Sequence, residues 1–212
     1  MNLFLLYVVL ASSFVPVIVG LMRYKNMDKG AKALLILVAA NCCQMMISYV
    51  LSLMKIHNLE LLNDYRPLEL VMIAVVFGFM VESRFIRKLL LSCSIGYVLI
   101  WIADKIYLDD PTQLNSRMAM LSRIVAIIMS IAVLYSETKA SSGLFTERPL
   151  FWVGTAVLLY SSGTLLVLGL SNQLINLQRE LFILAWQINW TLLIVANLFY
   201  TKGLLCKPQR PT

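Results

Sequence analysis

The chain has 212 residues, enough for one or two soluble domains, yet 60% of it is hydrophobic and only 14% charged, with a mean hydropathy of +0.80. A water-soluble fold needs a more polar exterior, so this composition excludes one and points to a bilayer as the solvent. The net charge of +7 does not mark a nucleic-acid binder, because no basic run is interleaved with aromatics.

In chain order, seven segments carry the ~20 mainly apolar residues that a membrane helix requires. They are Leu3–Met22, Ala33–Leu53, Tyr65–Val81, Leu89–Leu108, Asn115–Tyr135, Leu150–Leu170 and Leu181–Tyr200. The expected fold class is an all-α bundle of seven transmembrane helices, one domain over residues 1–212. The first segment has no basic residues before it, and Arg23, Lys25, Lys29 and Lys32 follow it. That reads as a retained helix ending in the cytoplasm rather than a cleaved signal peptide. Pro67 suits a first helical turn, where its missing N–H costs nothing, so helix 3 is expected to open at Arg66–Pro67.

Lys and Arg at the span ends set the orientation. One side collects Arg23, Lys25, Lys29, Lys32, Arg84, Arg87, Lys88, Lys139, Arg148, Lys202, Lys207 and Arg210. The other has Lys55, Arg66, Lys105, Arg117 and Arg179. Twelve against five, with Arg123 inside a span, accounts for all 18. The N-terminus is therefore expected outside and the C-terminus in the cytoplasm, in a bacterial inner membrane.

Polar side chains inside spans are expensive, and a mid-helix charge costs at least ~2.5–3.5 kcal/mol on insertion scales. Glu69 lies one turn into the expected helix 3, about 5 Å below its outer end, with Arg66 three residues before it. Arg123 lies deeper in helix 5, roughly 12 Å from the outer end. Ala119, Ser122, Ala126 and Ser130 form a small-residue stripe around it, which favours close packing and turns this face into the bundle. Glu69 enters from the same side, so an ion pair between Glu69 and Arg123 is expected. Asn41, Gln44, Ser48 and Ser52 stripe helix 2; Tyr160, Ser161 and Ser162 mark the middle of helix 6; Trp186, Gln187, Asn189 and Asn197 mark helix 7. These polar groups either bond between helices or line one cavity among helices 2, 3, 5, 6 and 7. As ligand-binding or cavity-lining candidates we take Glu69, Arg123, Asn41, Gln44, Tyr160, Ser161, Trp186 and Asn189.

No cofactor or metal is expected. Cys42 and Cys43 are adjacent, Cys93 and Cys206 stand alone, and the single histidine, His57, lies in a loop. Ser161 and Ser162 have no neighbouring base, so no enzymatic activity is expected either.

Three motifs carry a family resemblance: Tyr65-Arg66-Pro67-Leu68-Glu69, Arg148-Pro149-Leu150-Phe151-Trp152 with Leu159-Tyr160-Ser161-Ser162-Gly163, and Trp186-Gln187-Ile188-Asn189. With them the chain resembles uncharacterised seven-helix membrane proteins of Bacteroidetes-type bacteria. Relatives often have histidine near Gln187 and a second glutamate in helix 5, where this chain has Leu121-Ser122-Arg123. The resemblance implies no activity, but members often accompany sensor kinases, which suggests signalling. Microbial rhodopsins match in helix count and orientation but no further, since helix 7 lacks a Schiff-base lysine. The Pro208-Gln209 pair sits in the tail, outside any PQ-loop helix. The expected function is a non-enzymatic sensor acting through a cytoplasmic signalling partner. The alternative is a small-solute transporter or channel. Expected partners are the lipid bilayer and that signalling protein, with homo-oligomerisation left open and nucleic acid excluded.

Overall fold

The computed structural model describes residues 3–56, 58–108, 115–140, 145–177 and 179–206. His57, Lys207, Arg210 and the Pro208-Gln209 pair lie outside them. The described chain is all-helical: α1 (Leu3–Arg23), α2 (Lys29–Leu53), α3 (Leu59–Met80), α4 (Arg84–Tyr107), α5 (Ser116–Ala140), α6 (Pro149–Leu177) and α7 (Arg179–Leu205). Each packs on its sequence neighbours, α7 closes back onto α1, and α3 also touches α5 and α6.

Caps explain several ends that apolar content alone misplaces. The Asp28 carboxylate accepts the Ala31 N–H at 2.7 Å, so α2 starts at Lys29 rather than near Ala33. Ser83 does the same for Ile86 N–H at 3.4 Å, drawing the start of α4 back to Arg84 from the expected Leu89. At the other end of α2, Lys55 N–H donates to Ser52 O and Ile56 N–H to Leu51 O. This is a Schellman closure, and it holds Lys55 at φ 57, a left-handed conformation that glycine usually supplies.

Helix 3 departs most from expectation. It does not open at Arg66–Pro67 but at Leu59, with Pro67 inside it. Proline there forfeits one i→i−4 bond. Packing against α2, α4, α5 and α6 supports the helix through that gap. Glu69 consequently sits about 15 Å from the helix start rather than one turn in. Arg66, expected at the outer boundary, is buried.

Six helices are long and apolar enough to cross a membrane: those within Phe4–Asn26, Lys29–Leu53, Arg84–Tyr107, Ser116–Thr138, Pro149–Leu168 and Ile183–Leu205. These properties make the chain a multi-pass membrane protein. The exception is α3, which carries Glu60, Asp64, Arg66 and Glu69. Large apolar side chains face outward on every helix, among them Leu21, Ile36, Phe79, Ile95, Ile131, Leu166 and Leu198. Water would penalise that surface, whereas lipid solvates it. The core joins Leu34, Val38, Phe77, Leu90, Met129, Leu150, Val157 and Ala196 from six helices.

Candidate functional site

The charged centre of the bundle is built on α3 and α5. Ala119, Ser122, Ala126 and Ser130 are all buried, as the small-residue stripe requires. Ser122 and Ser130 donate to Ala119 O and Ala126 O on their own helix, each at 2.8 Å. That spends their hydroxyls locally and lets the backbones approach. The close approach brings Arg123 against α3, where Nη1 donates to Glu69 Oε1 at 3.1 Å and Nη2 to Oε2 at 2.8 Å. The expected pair is thus present in fork-to-fork form, which adds orientation to charge. The two side chains are 10% and 12% exposed, so each is the other's main compensation for lost water.

Tyr160 of α6 completes the arrangement. Its ring centroid lies 5.1 Å from Arg123 Cζ, a cation–π contact that ties a third helix to the pair. Tyr65 donates its hydroxyl to Asn41 Oδ1, linking α3 to α2. Both Tyr65 and buried Tyr200 lie close enough for the charges of Glu69 and Arg123 to act on them. Glu69, Arg123, Tyr160 and Asn41 therefore belong to one polar region.

The other candidates are placed elsewhere. Gln44 Nε2 donates to Ser48 Oγ at 2.9 Å within α2. Asn189 Oδ1 accepts from Thr164 Oγ1 at 2.6 Å, joining α6 to α7. Asn197 Nδ2 donates to Ser12 Oγ at 3.0 Å, joining α7 to α1. Trp186 is half-buried on α7. Ser161 is fully buried, with its Oγ unpaired among the described residues. An open groove of about 440 Å³ lies on α6 and α7, lined by Leu159, Ser162, Gly163, Leu166 and Leu192. A Cβ on Gly163 would fall 2.0 Å from Leu192 Cδ1, so glycine permits the close approach of these helices.

Arg66 is placed otherwise than the sequence suggests, and several further polar residues escaped the sequence reading. Arg66 Nε donates to Leu62 O at 3.3 Å rather than pairing with Glu69. Tyr97 of α4 donates to Met118 O at 3.2 Å. Asp104, also on α4, is buried and accepts from Asn115 Nδ2. A signal for both existed, because Leu90, Ser94, Tyr97 and Asp104 recur on one helical face. Glu137, buried, meets Arg148 at 3.3 Å and joins α5 to the start of α6. It follows Arg123 by 14 residues, close to four turns, so it shares that face.

No protein-family model, curated protein or solved structure matches the chain.

Proposed function

We propose that the protein is a non-enzymatic sensor of a bacterial cytoplasmic membrane, with all seven helices spanning and the N-terminus outside. α3 spans despite its charges because its neighbours bury Arg66 and most of Glu69, while Glu60 and Asp64 stay exposed near its first turns. The basic helix ends then lie in the cytoplasm, where they offer a positive surface to an acidic partner. In this reading the output passes through that partner, and the three motifs of the resemblance also favour signalling.

The observation that carries the reading is the Glu69–Arg123–Tyr160 contact between α3, α5 and α6. A ligand or membrane state that alters this contact acts on three helices at once. α5 carries Glu137 about 21 Å farther along the same face, where its pairing with Arg148 reaches the opposite helix ends. Cross-linking in native membranes followed by affinity capture should recover a signalling protein. Its loss in Arg123→Met, at equal membrane abundance, would support the reading. Recovery of no signalling protein in any state would contradict it.

One observation favours transport instead. Pro67 lies inside α3 between Arg66 and Glu69 and removes one backbone hydrogen bond from it, and proline within an apolar segment is a pointer to substrate sites in transporters. Solute flux into proteoliposomes above the protein-free rate would establish that reading.

A further inference from the structure

The centre holds two arginines and one carboxylate, and its described surroundings do not balance the second arginine. Glu69 gives both oxygens to Arg123. Arg66, one turn before Glu69, is only 8% exposed, and its Nη1 is buried without a hydrogen-bond partner. Arg123 Nε is likewise buried and unpartnered. Arg123 and Glu69 are both near enough for their charges to act on Arg66. Two further acids of α3 and α4 are engaged elsewhere: Asp104 with Asn115 and Arg117, and Asp64 with Lys105. A guanidinium does not shed its proton, so Arg66 has no route to neutrality in a low-dielectric interior.

We propose that this centre binds an oxyanion, a carboxylate or phosphate group, between Arg66 Nη1 and Arg123 Nε on the Arg66 side of the ion pair. One such group balances the charge and supplies acceptors to both orphan donors, and the planar guanidinium suits a two-oxygen acceptor. The anion is either free in the medium or the headgroup of a lipid. The site names the ligand class for the proposed sensor. Binding, however, is measured without any partner, so a failed cross-link and a failed binding assay are separate results.

The test uses the full chain, purified in a neutral detergent without phospholipid and followed by thermal unfolding. Inorganic phosphate, acetate and a short-chain phosphatidic acid are titrated against chloride at matched ionic strength. A saturable rise in Tm of about 3–6 °C at ten times Kd is expected. A response to phosphate or acetate identifies a free anion, and a response to phosphatidic acid alone identifies a headgroup. Arg66→Met should unfold no earlier than wild type without anion and should lose the response. No rise beyond chloride for any of the three, or an equal rise in Arg66→Met, would overturn the proposal. Should Arg66→Met not fold, Arg66→Lys replaces it: a midpoint weakened at least ~10-fold is expected, and an unchanged midpoint overturns the site.

Discussion

Glu69 and Arg123 meet inside the bundle through two hydrogen bonds, with about a tenth of each side chain exposed, whereas Lys105 and Asp64 pair at the helix ends with 38% and 43% exposed. Glu137 and Arg148 are joined by one contact near a helix end, with the carboxylate 7% and the guanidinium 20% exposed. The same chemistry thus appears in three settings. What separates the pairs is the state left behind when one member is removed. A rim residue falls back on water, but a central one strands a charge where water does not reach.

That ordering can be broken by substitution. The largest effect should come from Arg123→Met, which leaves Glu69 without its forked partner and should cost ~3–5 kcal/mol in detergent unfolding. Glu137→Gln, which removes one charge-assisted bond near the helix end, should cost ~1.5–3 kcal/mol in the same assay. Lys105→Ala should cost less than ~1 kcal/mol, and the difference should vanish in high salt because exposed pairs are screened. An equal cost for all three would dissolve the distinction between centre and rim.

The smallest effect concerns reactivity at the rim. Burial raises the pKa of the Cys206 thiol, outweighing the nearby Lys202 and Arg23, and Sγ donates to Lys202 O at 3.3 Å. Less thiolate is then present at neutral pH than in a free thiol. In a variant with Cys42, Cys43 and Cys93 replaced by alanine, alkylation of Cys206 should lag a small-molecule thiol at pH 7.5 and close the gap as pH rises. A rate matching the free thiol at every pH would contradict the burial.

The same contrast explains what was legible in the sequence. Apolar runs located all seven helices, six of them long and apolar enough to cross a bilayer, whose thickness imposes a length that a chain reveals without tertiary information. The Glu69–Arg123 pair was legible because few charges share that depth, and the small-residue stripe marked the face of α5. Helix 3 was misread because Pro67 is an acceptable first residue as well as an interior one, and only packing from four neighbours decides between them. That single misplacement put Arg66 in the boundary region and moved Glu69 outward. The polar stripes of α2 and α7 were visible, but which of their residues bond within a helix and which bond between helices depends on rotation about the axes. Gln44 and Asn189 illustrate the two outcomes.

The most direct test of the central claim is a double-mutant cycle on Glu69 and Arg123, read by reversible unfolding in detergent. Glu69→Gln and Arg123→Met should each destabilise strongly, and the double variant should be more stable than the sum of the two losses predicts, with a coupling of at least ~2 kcal/mol. Losses that simply add would mean that the two side chains do not depend on one another, and the account of the centre would fail.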